Sequence, residues 1–190
     1  MNMKFYSKIS SMLVAAAFLS ILPVEAQTFR QTKQGITGTT QGMDIEIQFI
    51  SPEIVRVVKA PEGRSFTKKS LSVVKSPESM SVTAEKKGET VSLKSNAVRV
   101  DFNVETGRIS FFDKQGKALF TEKDYGAQFT PFNDAGNQTF SVRQAFLLDK
   151  DEAIYGLGQQ QVDDLNQRNH KHFMRQRALH ASVPIIQSTK

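Results

Sequence analysis

From Met43 the chain alternates. Met43, Ile45, Ile47 and Phe49 are apolar, and Asp44, Glu46 and Gln48 between them are polar. A period of two is that of a strand with one face in a core and one in water. Ser51-Pro52 interrupts the run, and Ile54 to Val58 resumes it with β-branched residues. Ser81–Ala84 and Thr90–Leu93 read as a hairpin around Lys86-Lys87-Gly88. In the clearest unit Val98, Val100, Phe102 and Val104 share one face, and Arg99, Asp101 and Asn103 share the other. Glu105-Thr106-Gly107 then turns the chain into Arg108–Phe112, and Asp113-Lys114-Gln115-Gly116 turns it again into Ala118-Leu119-Phe120.

Residues 126–139, with Pro131, Asn133-Asp134, Gly136 and Asn137, read as a surface loop, and Phe140–Leu148 as the next strand. Asp149-Lys150-Asp151-Glu152 turns the chain into the segment around Tyr155. Residues 20–40 suggest a lead-in and a first edge strand. A helix over Gln167–Ala181 is disfavoured by poor apolar periodicity and by Pro184, so strand and loop are expected there. Short strands parted by Gly, Asn and Asp turns predict an all-β fold, an antiparallel β-sandwich.

The first 26 residues differ from the rest. Lys4 and Lys8 precede an apolar run from Met12 to Val24, and Val24-Glu25-Ala26 places small residues where a signal peptidase reads. The run is short for a hydrocarbon core of about 30 Å. The expectation is a signal peptide over 1–26, a mature chain from 27 to 190, no membrane attachment after cleavage, and a periplasmic or secreted location. The chain has no cysteine, which excludes disulfides, thiolate metal sites, a cysteine nucleophile and a lipid-modified cysteine. The formal net charge is +6, and Lys4, Lys8 and Glu25 leave the mature chain at about +5. The lysines are scattered over strand-like segments without an aromatic RNA motif, so no nucleic-acid partner is expected.

Glu152–Gln161 reads E-A-I-Y-G-L-G-Q-Q-Q. Gly156 and Gly158 allow a tight turn or a close approach of another backbone. As a phosphate loop the pair lacks a third glycine, a following helix and a Lys-Ser/Thr pair. His170, His172 and His180 lie close in sequence, with Asp163 and Asp164 as the nearest carboxylates. No fourth ligand completes the set, so these residues read as part of a basic loop with Arg168, Lys171, Arg175 and Arg177, and no metal is expected.

The decapeptide, with Asp151 before it, closely resembles the segment that ends the N-terminal β-sandwich of glycoside hydrolase family 31, the α-glucosidases and α-xylosidases. Val183–Lys190 resembles the strand by which the family's chain returns. Ser51–Val57 and Val98–Phe120 resemble earlier strands of the same galactose-mutarotase-like domain. In the family a catalytic (β/α)₈ barrel follows and carries the carboxylates, whereas 29 residues follow Gln161 here.

The resemblance implies that residues 27–190 are this accessory sandwich, incomplete at the C-terminus. Its expected partner is the barrel, and oligosaccharide is reached through that barrel. It implies no catalytic residue within the chain, no cofactor, and no activity of the chain alone. Leu165–Arg168 matches the family's returning loop, but Asn169 stands where many relatives have glycine. Ala178 replaces an Asn or Asp that can reach substrate, which leaves Arg168, Gln176 and Arg177 as the substrate-binding candidates. Retaining glycosidases need two carboxyl groups about 5–5.5 Å apart, and adjacent Asp163 and Asp164 would point to opposite faces of a strand.

Two other functions fit a sandwich. A free-standing carbohydrate-binding module stacks sugars on exposed aromatic rings, yet Trp is absent and only Tyr125 and Tyr155 follow the leader. A mutarotase-like epimerase needs an acid–base His and Glu on a deep sheet, and all three His lie in one terminal segment. A sandwich that packs on a barrel would expose an apolar patch around Ile154, Leu157, Ile185 and Ile186.

Overall fold

The structure, a computed structural model, describes residues 29–64, 71, 73–159, 164–176 and 180–190. The expected signal peptide, Asp163, Arg177 and Ala178 lie outside the described residues. Among the described residues every helix or strand is a strand, and all pairings are antiparallel.

The first sheet has four strands in chain order, β1 (Phe29–Gln31), β2 (Gly35–Thr40), β3 (Met43–Ser51) and β4 (Ile54–Pro61). The second holds β5 (Thr83–Lys87), β6 (Thr90–Lys94), β7 (Val98–Asn103), β8 (Ile109–Asp113), β9 (Ala118–Asp134) and β10 (Asn137–Leu147), also in chain order. β11 (Ile154–Gln159) and β12 (Ala181–Ser188) pair as a separate ribbon. The alternation in β3 is realised directly, since Met43, Ile45, Ile47 and Phe49 are buried and the polar residues between them are half-buried.

Ile36, Met43, Ile45, Ile47 and Phe49 from the first sheet pack against Val91, Leu93, Val100, Phe102, Val104 and Ile109 from the second. That shared core makes the two sheets a β-sandwich. The hairpin expected at Lys86–Gly88 closes β5 to β6, with Lys87 opposite Thr90. Val100, Phe102 and Val104 are buried on the face predicted for them.

Residues 126–139 are not a loop. β9 runs to Asp134 and β10 starts at Asn137, so the two form one long hairpin that turns only at Ala135-Gly136. The turn-forming composition misleads because this ribbon is largely solvent-facing and needs few apolar residues. Pro131 pairs with Phe140 on one side and, in that stretch of β9, faces no second strand. A missing N–H is tolerated at such an edge.

The two sheets are unequal. β1 lies over β5, where Lys86 Nζ sits 5.9 Å from the Phe29 ring centroid, and β4 lies over β9 through Lys59 and Glu122. Among the described residues the four-stranded sheet ends at β4. β10 and the adjoining face of β9 project past it.

Candidate functional site

Two places in the fold concentrate polar chemistry. The first is the turn, ribbon and returning loop of residues 149–190. Glu152 is buried, and its carboxylate accepts from the Asp149 backbone N–H at 2.8 Å and from the Ser188 hydroxyl at 2.5 Å. It therefore closes the Asp149–Glu152 turn and fastens it to the far end of β12. Ala153 N–H donates to Thr189 Oγ1 at 3.0 Å, and Lys190 Nζ meets Asp149 Oδ2 at 2.7 Å.

β11 follows at once, and its glycines explain the E-A-I-Y-G-L-G pattern. Gly156 and Gly158 have φ of +112° and +85°, and a Cβ on them would lie 2.3 Å from Ile185 O and 2.0 Å from Ala181 O. The close approach of another backbone that the sequence suggested is that of β12. Between these pairs β11 has one residue, Leu157, where β12 has three, Val183 to Ile185. The irregularity sits at Pro184, which supplies no ladder donor.

The returning loop is held from its start. Asn166 Oδ1 accepts from the Ile154 and Arg168 backbone N–H groups, both at 3.1 Å, and Gln167 N–H donates to Ile154 O at 2.6 Å. Asn169, where the resemblance implies glycine, has φ of +63°. Asparagine is among the few other residues that enter this region routinely, which is how the chain does without glycine there.

The substrate-binding candidates are placed as follows. Arg168 donates through Nη1 to Asp149 O and Glu152 O, both at 2.6 Å, so its guanidinium holds the loop to the turn. Gln176 brackets Ser182, donating to its carbonyl at 2.9 Å and accepting from its N–H at 3.2 Å. The structure thus turns Arg168 and Gln176 toward opposite ends of one loop rather than together.

Arg168→Ala should release the loop at about 1.5–3 kcal/mol for each charge-assisted bond, discounted for solvent access. The check is limited trypsin cleavage at Lys171 and Arg175, which should speed up while the sandwich melts unchanged; unchanged cleavage would refute the anchoring role. His170 and His172 stack with ring centroids 6.2 Å apart, and His170 Nε2 lies 3.5 Å from Asp164 Oδ2. Among the described residues no three potential metal ligands come together.

Of the expected apolar patch, Ile185 and Ile186 are exposed, with Val183 and Tyr155 beside them in the ribbon, and Leu157 is half-buried. Ile154 is buried and is not part of it.

The second place was not anticipated. Lys59 Nζ and Glu122 Oε2 meet at 2.6 Å, and each side chain is 5% exposed. Lys59 also donates to Gly107 O at 3.1 Å and Tyr125 O at 3.5 Å. Glu122 accepts from Ile109 N–H at 2.8 Å and from Gln144 Nε2 at 2.9 Å. Burial pulls the Lys59 ammonium below the ordinary lysine value, outweighing the hydrogen bond and charge of Glu122, which push the other way.

A bulge makes the geometry possible. Glu122 pairs with Phe146 and Ala127 with Gln144, so four residues of β9 stand against Ala145. Parity contains a signal for the pair, since Lys59 shares a face with Val55 and Val57, and Glu122 with Phe120. A charge at an inward position on each of two strands calls for a partner.

The glycosyl hydrolase 31 N-terminal galactose mutarotase-like domain model matches residues 44–181. The chain is 31% identical over 118 residues to an α-xylosidase of Saccharolobus solfataricus, a match covering 62% of this chain and 16% of that protein. It superposes on the crystal structure of a GH31 α-xylosidase from Xanthomonas citri with a TM-score of 0.77 and 30% identity, over 84% of this chain and 18% of that one. A GH31 α-xylosidase from a soil metagenome, complexed with xylose, shares the fold with a TM-score of 0.72 at 24% identity, over 85% and 26% of the two chains. The chain therefore spans between a sixth and about a quarter of the length of these relatives. By sequence and by fold it belongs to the family of glycosyl hydrolase 31 N-terminal galactose mutarotase-like domains.

Proposed function

We propose that this domain is the N-terminal accessory part of a retaining α-glycosidase of the α-xylosidase or α-glucosidase type. It serves carbohydrate metabolism by helping to hydrolyse O-glycosyl bonds when joined to a catalytic (β/α)₈ barrel, and it is inactive alone. The observation that carries this reading is the ribbon of β11 and β12. Glu152 and Arg168 spend their hydrogen bonds on the turn, the backbone and Ser188, and so fix residues 164–176 to the ribbon instead of offering chemistry.

In this reading the barrel supplies the nucleophilic carboxylate and the acid, and the sugar passes through a covalent glycosyl-enzyme intermediate. The loop of residues 164–176 walls the pocket from the side. Arg168 and Gln176 position it, and Arg177 is the remaining candidate for direct sugar contact. The leader over 1–26 exports the protein, and oligosaccharide reaches it only through the barrel.

The test is a domain exchange. The N-terminal domain of the Xanthomonas citri α-xylosidase is replaced by residues 27–190, and release of xylose from an aryl α-xyloside is followed. Activity within about tenfold of the parent is expected, against none for the 190-residue chain alone. Hydrolysis by the isolated chain, or an exchanged enzyme that folds but is inert, would overturn the reading.

A further inference from the structure

Tyr125 stands in the bulge of β9 that faces Ala145. The residues on either side of it, Asp124 and Gly126, have φ of +51° and +77°. A non-glycine residue enters this region at a cost and stays there when its surroundings dictate it. Here the surroundings are the buried pair of Lys59 and Glu122. A Cβ on Gly126 would lie 2.3 Å from Glu122 Oε2 and 2.7 Å from Lys59 Nζ, and Lys59 Nζ lies 3.5 Å from Tyr125 O. The bulge rests directly on the ion pair, which fixes where the tyrosine stands.

Tyr125 is 43% exposed and borders an open cleft of about 440 Å³. Gln41 and Met43 are on its wall at the β2–β3 turn, and Gln128, Phe129 and Thr130 on its wall from β9. That size is in the range of sites for one small ligand. The side chains of Tyr125, Gln128 and Thr130 have no hydrogen-bond partner among the described residues. Gln128 and Thr130 are two apart on one strand and share a face. Gln41 Nε2 donates to Glu105 O at 2.8 Å, which steadies that amide and leaves its oxygen to accept.

Among the described residues no side chain lining this cleft is charged, in a chain whose formal net charge is +6. Lys123, Asp124 and Arg143 line a separate, much smaller depression that shares Tyr125 and Gln128 with it. Phosphates, carboxylates and metal ions therefore find no countercharge in the cleft. A purely apolar molecule is matched no better, because it would strip water from the unpaired amide and hydroxyls. The lining calls for an uncharged molecule with an apolar face and a rim of groups that donate and accept. Glutamine and threonine side chains do both, and a tyrosine ring offers an apolar face with a polar tip. A pyranose has the complementary make-up, with C–H bonds over its face and hydroxyls around its edge. Tyr155, the other tyrosine after the leader, stands instead beside Val183, Ile185 and Ile186 in the ribbon.

We propose that this cleft binds a neutral monosaccharide in its pyranose form. The C–H face of the sugar lies on the Tyr125 ring, and its hydroxyls meet Gln41, Gln128 and Thr130. The site is separate from the pocket that a barrel would supply, and it does not rest on the hydrolytic reading. It also gives the Lys59–Glu122 pair a consequence at the surface, since the pair shapes the bulge that presents the ring.

Two-dimensional ¹H–¹⁵N NMR of the 190-residue chain, titrated with xylose and separately with glucose, tests it. Saturable shifts are expected for the Gln41 and Gln128 side-chain amides and for backbone amides in 124–130, with a Kd on the order of millimolar. Tyr125→Ala should weaken binding by about tenfold or more, and Tyr125→Phe should keep most of it because the ring face remains. Gln128→Ala provides a second variant and should weaken binding several-fold. Tyr125 and Gln128 are both exposed, so the melting temperature of each variant should stay that of the parent. Glycerol at matched hydroxyl concentration should give no saturable shift. No saturable shift with either sugar overturns the proposal, as does an equal response to glycerol or an unchanged affinity in Tyr125→Ala. Shifts confined to 164–176 overturn it as well, and would place the sugar at the returning loop.

Discussion

Glu122→Leu should destabilise the sandwich by about 3–5 kcal/mol, the usual cost of leaving one member of a buried ion pair without the other. The loss has three parts that can be named. Lys59 keeps its ammonium at a site 5% exposed with only Gly107 O and Tyr125 O as acceptors. Ile109 N–H, buried in β8, loses its acceptor, and Gln144 loses one as well. In a chain of this size the melting temperature should fall by roughly 10 °C.

Lys59→Met with Glu122→Leu should recover part of this and not all, because the Ile109 donor remains unpaired at about 1–3 kcal/mol. Thermal and urea unfolding decide the matter, and a Glu122→Leu variant within about 1 kcal/mol of the parent would refute the role given to the pair. A pH series adds a second signature. The folded value of Lys59 is lowered, so the unfolded chain holds this proton more tightly. Stability from this group therefore rises as pH climbs from the folded value toward the ordinary 10.5. Lys59→Met removes that slope, so the advantage of the parent over this variant should widen with alkalinity.

Sequence parity revealed the sandwich because a one-residue slip exchanges core and solvent faces, leaving strong traces in β3 and β7. The runs Met43–Phe49 and Val98–Val104 were legible for that reason. The β9–β10 hairpin was not, since a ribbon with one neighbour and a wet face tolerates Pro131, Asn133 and Gly136 as well as any loop would. Lys59 and Glu122 were visible by parity, yet each looks like an ordinary surface charge until the 63-residue separation between them is closed. Arg168 shows another limit. Its acceptors are two carbonyls 16 and 19 residues upstream, and a backbone carbonyl leaves no mark in a sequence. The resemblance to family 31 pointed to residues 151–190, while what the side chains there hold had to come from geometry.

Gly158→Val should unpair β11 from β12 while sparing the sandwich. The first atom of the new side chain would lie 2.0 Å from Ala181 O and 2.8 Å from Val183 N, both backbone atoms of β12, and the residue sits at φ of +85°. Neither flexible side chain nor solvent is available to yield, so the strands must separate. The β-branched side chain adds its own penalty at positive φ, about 1–2 kcal/mol before any clash. The core, by contrast, draws on β2, β3 and β6 to β9 and takes nothing from the ribbon. Hydrogen exchange over 154–159 and 181–188 should therefore approach that of an unfolded chain, and exchange over 90–103 should stay as in the parent. Retained protection in the ribbon would refute the account of the glycines. The functional consequence follows from the anchors. Ser182 holds Gln176 and Ser188 holds Glu152, so losing β12 frees both ends of the loop at once. In the domain exchange with the Xanthomonas citri enzyme, the same substitution should then lower xyloside hydrolysis without lowering the melting temperature of the sandwich.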